Sequence, residues 1–192
     1  MTKYQHDTKS AIDLNDRKSS DRVLNIIEIL FILLSLTILL LSLFFSIASV
    51  SGSSMEKTLS NGDYIIFSGL FYTPKSGDIV VFDANSSEFD YPLVKRVIAT
   101  EGQTIDIDPA TGLITVDSIP LSEPYIKDQT AVSYGTDIFP YTVEPGRVFL
   151  LGDNRNNSVD SRSDIIGTVP VENILGKVIL RFYPFTSFGI PN

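Results

Sequence analysis

Among the serines and lysines of this sequence, Ser54 is a candidate nucleophile and Lys95 the strongest candidate for its base. In Leu93-Val94-Lys95-Arg96-Val97-Ile98-Ala99, strand alternation predicts Leu93, Lys95, Val97 and Ala99 on one face and Val94, Arg96 and Ile98 on the other. An amine among apolar neighbours loses ammonium hydration, which lowers its pKa from about 10.4 toward roughly 7–8. Neutral, it can take a proton from a serine hydroxyl. The plain alternative is a strand lysine that snorkels to water or pairs with an acid. Ser54 stands in Ser51-Gly52-Ser53-Ser54-Met55, where Gly52 makes the backbone permissive. Its plain alternative is a linker whose Met55 and Leu59 pack at an interface.

A third segment gives the pair weight. Gly152-Asp153-Asn154-Arg155-Asn156-Asn157-Ser158-Val159-Asp160-Ser161-Arg162 is dense in hydrogen-bonding and charged groups and follows the apolar strand Val148–Leu151. It reads as a rigid support in which Ser158 hydrogen-bonds the lysine amine while Asp160 and Arg162 brace the loop. A polar loop built on Asx-turns is the simpler reading, and a calcium site at Asp153, Asn154 and Asp160 is another. The spacing lacks the downstream Glu and flanking helices of an EF-hand.

Composition removes other chemistries. The sole histidine is His6, in the N-terminal tail, so a Ser-His-Asp triad and His-based metal sites are excluded for a distant domain. With no cysteine there is no disulfide framework, thiolate nucleophile or Cys-based zinc site. No metal and no cofactor is implied. The net charge is −8, and the 1–28 tail is balanced by Lys3, Lys9, Arg17, Lys18 and Arg22 against Asp7, Asp13, Asp16, Asp21 and Glu28. The acidity therefore belongs to the C-terminal part, which argues against nucleic acid as a partner.

The elements that must position these groups fall into three parts: a polar tail over 1–28, an apolar span over 29–50 and a β-rich domain over 51–192. The tail's first residues, Met1–Asp21, read as mobile. Ile29–Val50 carries no Lys, Arg, Asp or Glu and would reach roughly 30 Å as a helix, the thickness of a bilayer core. It exceeds the roughly 7–15 apolar residues of a cleaved signal peptide. Arg17, Lys18 and Arg22 precede it closely and only Lys57 follows, which predicts a cytoplasmic N-terminus and an extracytoplasmic domain. Beyond it, runs at Tyr64–Phe67, Ile79–Phe82, Leu93–Thr100, Thr104–Ile107, Leu113–Val116, Val148–Leu151 and Lys177–Phe182 predict strands. Gly, Asp and Pro clusters punctuate them. Leu121–Tyr141 reads as a long surface excursion. The domain is expected to be mainly β, a partly closed barrel or paired sheets.

In this order, the span, Ser-Met, Lys-Arg-Val and Gly-Asp-Asn-Arg-x-x-Ser-x-Asp-Ser-Arg closely resemble the type I signal peptidases of bacteria, family S26, in their single-anchor Gram-positive form. The resemblance also includes Gly77–Phe82 and Gly176–Pro184. It implies a membrane helix followed by a LexA-like β-fold catalytic domain, and a Ser-Lys protease that removes signal peptides from exported preproteins. Ser54 then falls on the nucleophile and Lys95 on the general base. Ser158 falls on the serine that orients the lysine, Asp160 and Arg162 on the bracing pair, and Asp153 is placed to pair with Arg96. Preproteins and the lipid bilayer are the implied partners.

Three departures bear on geometry. Lys57 replaces the family's proline in Ser54-Met55-Glu56-Lys57-Thr58-Leu59, and losing a φ-fixing residue is expected to loosen the turn presenting Ser54. Ala99–Gln103 replaces the usual Gly-x-Pro-Gly-Asp. Gly52 stands where some members carry an oxyanion-hole serine, which leaves that role to backbone N–H groups, including that of Ser54. The first two departures motivate a rival of another class, a non-catalytic membrane chaperone or assembly factor on the same scaffold. A self-cleaving regulator of the LexA type fits poorly with the span and the absence of a basic DNA-binding segment.

Overall fold

The structure, a computed structural model, describes residues 2–130 and 139–192, with side chains from Arg22 onward. The chain divides into two compact units, Met1–Leu43 and Phe44–Asn192. The first is one helix, α1 (Thr2–Phe44). No Gly or Pro occurs before Gly52, so nothing in the sequence interrupts it, and the stretch expected as a mobile tail continues the helix. Its Arg22–Phe44 portion has a mean hydropathy of 2.8 and is long and apolar enough to cross a membrane. Thr37 and Ser42 donate their hydroxyls to the carbonyls of Leu33 and Leu39, both at 2.8 Å, so neither is a liability in lipid.

The helix does not run to Val50 as the apolar span predicts. It stops at Phe44, and Ser46–Ser49 forms a strand, β1. The physical reason is pairing: β1 meets β2 (Tyr64–Ser68) in register from Ser46↔Phe67 to Ser49↔Tyr64. Val50, the last apolar residue, is buried beside Met55 and Leu59.

The second unit is mainly antiparallel β. Its further strands are β3 (Ile79–Phe82), β4 (Leu93–Thr100), β5 (Thr104–Ile107), β6 (Ile114–Val116), β7 (Ile119–Pro120), β8 (Tyr141–Thr142), β9 (Arg147–Leu151), β10 (Val169–Pro170) and β11 (Ile174–Tyr183). A seven-stranded sheet has the order β1-β2-β11-β3-β4-β9-β10, and a four-stranded sheet the order β7-β6-β5-β8. The short strands β1, β7, β8 and β10 were not expected from the sequence; two to four residues carry too little period to register.

Three apolar clusters hold the sheets. Ile98, Ile105, Ile114, Val116, Phe149 and Leu151 fill the space between them. Val80, Phe82, Val97, Leu150 and Val169 pack in a second cluster. Val50, Met55, Leu59, Ile65, Ile79 and Val81 form the third, which includes Met55, the residue after Ser54. The predicted alternation of β4 fails at one point. Between Val97 and Ala99 the pairing with β9 shifts by a bulge, so Ile98 and Ala99 enter the same cluster instead of opposite faces.

The expected excursion over Leu121–Tyr141 is fastened to the domain where it is described. Leu121, Phe139 and Tyr141 pack on the inter-sheet core, and residues 131–138 lie outside the described residues.

Candidate active site

Ser54 follows β1 by five residues and begins a turn locked by two buried anchors. Met55 and Leu59 are 1% and 0% exposed, each worth about 1.5–3 kcal/mol of burial. The N–H groups of Thr58 and Leu59 both donate to the Met55 carbonyl, at 3.0 and 2.8 Å. From the other side, Asn154 N–H donates to the Ser54 carbonyl at 3.0 Å and Asn154 Nδ2 to the Ser53 carbonyl at 3.0 Å. The position of Ser54 is therefore set by its own turn and by the loop after β9.

Lys95 comes from the middle of β4, opposite Val80 of β3. Its Nζ lies 2.7 Å from Ser54 Oγ and 3.2 Å from the Val94 carbonyl. The side chain is 3% exposed, too buried to snorkel to water. Desolvation pushes its pKa down to about 8, against the opposing pull of Asp160 and Asp153. An amine in that range is neutral often enough near pH 8 to accept a hydroxyl proton.

Arg96, on the same strand, forms a bidentate pair with Asp153: Nε donates to Oδ1 at 2.9 Å and Nη2 to Oδ2 at 2.7 Å. Asp153 also accepts from Thr58 Oγ1, tying the Ser54 turn to this pair. Asp160 accepts from Arg162 Nε at 2.8 Å, from Arg162 Nη2 at 2.9 Å and from Gly152 N–H at 3.0 Å. Among the described residues, both carboxylates are thus engaged by an arginine and by further N–H or O–H donors.

Ser158 departs from expectation. Its Oγ is buried and, among the described residues, has no hydrogen-bond partner, the lysine amine included. After the short 3-10 turn Arg155–Asn157 the backbone is extended at Ser158, which directs the hydroxyl against Gly152. A Cβ at Gly152 would collide with that hydroxyl and with the Ser54 carbonyl, so glycine is required for the loop to close on Ser54.

The turn at Lys57 also departs from expectation. Lys57 has φ +82°, which proline cannot adopt, so the proline's absence does not simply loosen this turn. The cost of such a φ, about 1–3 kcal/mol for a non-glycine residue, is offset by tethering. Lys57 Nζ donates to the carbonyls of Pro124 and Ile126, at 2.6 and 3.1 Å. The other variant segment, Ala99–Gln103, closes a tight turn in which Gln103 Oε1 accepts from Thr100 N–H at 2.9 Å.

Sequence reasoning assigned no role to Arg155, which is fully buried. Its guanidinium donates to the Gly152 carbonyl at 3.0 Å, to Thr130 Oγ1 at 3.1 Å and to the half-buried Glu123. Three asparagines flank it and disguise a structural hub as a solvated loop; its place just after a buried strand was the available signal.

Beside Ser54 and Lys95 lies a cavity of about 420 Å³ walled by Ile47, Ala48, Met55, Val81, Leu93 and Val94. β1, which supplies part of that wall, is an edge strand paired on one side only.

Comparison with known proteins agrees across sequence and family. The family model described as signal peptidase, peptidase S26, matches residues 23–183. Signal peptidase I of Mycobacterium tuberculosis is 34% identical over 194 residues, covering 73% of this chain and 66% of that protein, just under two thirds of its length. Signal peptidase I T of Bacillus subtilis is 32% identical over 147 residues, covering 72% of this chain and 74% of that one. A crystal structure of a signal peptidase I from Enterococcus faecalis is 28% identical with a TM-score of 0.43, covering 55% of this chain and 97% of that one.

Proposed function

This chain belongs to the signal peptidase family, peptidase S26, and on that premise we propose that it is a membrane-bound serine endopeptidase that removes signal peptides from exported preproteins. Ser54 is the nucleophile and Lys95 the general base. The observation that carries the reading is a buried amine 2.7 Å from a hydroxyl, with its pKa drawn down to about 8. Neutral Lys95 takes the Ser54 proton as Oγ attacks the carbonyl carbon of the residue before the cut. Backbone N–H groups near Ser54 stabilise the oxyanion, typically about 2.7–4 kcal/mol per donor. As the scissile C–N bond breaks, the ammonium returns its proton to the leaving amine. Lys95 then activates water, which hydrolyses the acyl-enzyme.

The substrate lies extended along the free edge of β1, with small side chains entering the adjoining apolar cavity. That suits the Ala-x-Ala-like end of a signal peptide. The apolar helix anchors the chain in the bilayer, with the N-terminus cytoplasmic and the β domain, from β1 onward, extracytoplasmic. Confinement to the plane of the membrane raises the effective concentration of a membrane-borne substrate.

The test is incubation of the full chain in detergent with a preprotein ending its signal in Ala-x-Ala. A single cut after the second alanine is expected. A preprotein recovered bound but whole would favour the chaperone reading and sink the protease. The pH dependence follows from Lys95. The base must be neutral, so raising pH through its pKa switches activity on. Cleavage at limiting substrate should rise roughly tenfold per pH unit below pH 8 and level off above it. A rate flat from pH 6 to pH 9 would rule out this base.

A further inference from the structure

The segment from Glu123 to Lys127 is fastened to the Ser54 turn and to its support. Glu123 pairs with buried Arg155, and the Tyr125 ring lies 3.8 Å from the Arg96 guanidinium. Lys127 N–H donates to the Asp153 carbonyl at 3.1 Å, while its ammonium meets Glu56 at 2.8 Å. Lys57 completes the attachment through the carbonyls of Pro124 and Ile126. Both turn residues following Met55, Glu56 and Lys57, are therefore tied to the same strap.

Lys57 occupies the third position of the Met55–Thr58 turn, closed by Thr58 N–H to the Met55 carbonyl at 3.0 Å. With φ +82° it takes the place that such a turn reserves for glycine. An exposed lysine gains nothing from this φ except what its ammonium reaches. A cation with two carbonyl acceptors makes charge-assisted bonds, stronger than those between neutral groups.

We propose that Lys57 is a positioning residue for the cleavage reaction: its ammonium, held by the strap at Pro124 and Ile126, keeps the turn after Ser54 in the left-handed form that sets the hydroxyl against Lys95. The inference rests on the protease reading above. It assigns Lys57 no contact with substrate and no proton to carry. Its signature is therefore a fall in kcat with KM and the pH profile unmoved.

Three variants separate the tether from the turn. Lys57→Met removes the ammonium and keeps the φ cost. Lys57→Gly removes the ammonium and the cost together. Lys57→Arg keeps a cation within reach of the two carbonyls. Measured on a preprotein in detergent, K57M should lose roughly tenfold in kcat, with KM within twofold and the acid limb still near pH 8. K57R and K57G should each recover at least half of that loss, K57G because glycine holds the turn unaided. If K57M fails to fold, K57G against wild type carries the test, and a kcat more than fivefold below wild type overturns the proposal. Wild-type kcat in K57M, equal losses in K57M and K57G, or a displaced acid limb would also overturn it. A wild-type chain that leaves preproteins whole brings down the protease reading and this inference together; a wild type that cuts, beside an equally active K57M, brings down only the role of Lys57.

Discussion

Replacing Lys95 with methionine is expected to reduce preprotein cleavage by about 10³-fold or more while the β domain remains folded. General-base catalysis contributes roughly 10²–10⁴-fold in systems of this kind. The only imidazole in the sequence belongs to His6, and Lys95 is the amine at hydrogen-bond distance from Ser54 Oγ. Methionine matches the lysine stem in length and fills the buried site without a polar atom. It also removes an ammonium whose burial the protein disfavours, since desolvation dominates the lowered pKa. The melting temperature should therefore hold or rise as activity disappears. Ser54→Ala should reach the same floor, and the double variant should fall no lower, because groups acting as a unit lose their effect together. Quantitative cleavage assays on the three variants, with thermal melts, check this. Cleavage by K95M within tenfold of wild type would remove the dyad from consideration.

The second large effect is expected at Asp153, which is fully buried. Asp153→Ala leaves the Arg96 guanidinium with the Gly77 carbonyl at 2.8 Å and the Tyr125 ring, and with no carboxylate among the described residues. Removing one partner of a buried pair costs about 3–5 kcal/mol. For a domain of this size that is a fall of roughly 10 °C in melting temperature. Removing the charge of Arg96 as well, in Arg96→Met with Asp153→Leu, should recover much of the loss, because no unpaired charge then stays buried. Cleavage by D153A should also fall, since Thr58 loses its anchor two residues from Glu56 and four from the nucleophile. A finer signature concerns the acid limb. Asp153 acts to raise the pKa of Lys95, so its loss should let that value sink further below 8 and move the limb toward lower pH. A melting temperature unchanged in D153A would mean the pair carries little of the fold.

Much of the β domain is legible in the sequence because its longer strands are runs of β-branched and apolar residues and its turns carry Gly, Asp and Pro. β3, β4 and β5 occupy the expected residues, while β11 extends further at both ends. The misreadings share a cause, which is that local pattern cannot see a partner elsewhere in the chain. Ser46–Ser49 looks like the tail of an apolar helix until β2 is present to pair with it. The bulge at Ile98 is invisible without β9 beside β4. Lys57 reads as a lost proline, and the carbonyls that hold it lie 67 and 69 residues away. Arg155 reads as solvated because its acid, Glu123, sits in what looked like a surface excursion. The nearness of Ser54 and Lys95 follows from no local rule; only the order of the motifs suggests it. The hydroxyl of Ser158 was matched to the amine by that same order, and it packs on Gly152 instead.

The strand at Ser46–Ser49 decides where the chain can be trimmed for soluble production. A truncation designed from hydropathy alone would begin at Ser51, where the greasy stretch ends. It would strip β2 of its neighbour, expose the backbone of Tyr64–Phe67 as a new sticky border, and delete Ile47 and Ala48 from the cavity wall. A secreted version should instead start at Phe45, keeping the four residues that the greasy stretch lends to the sheet.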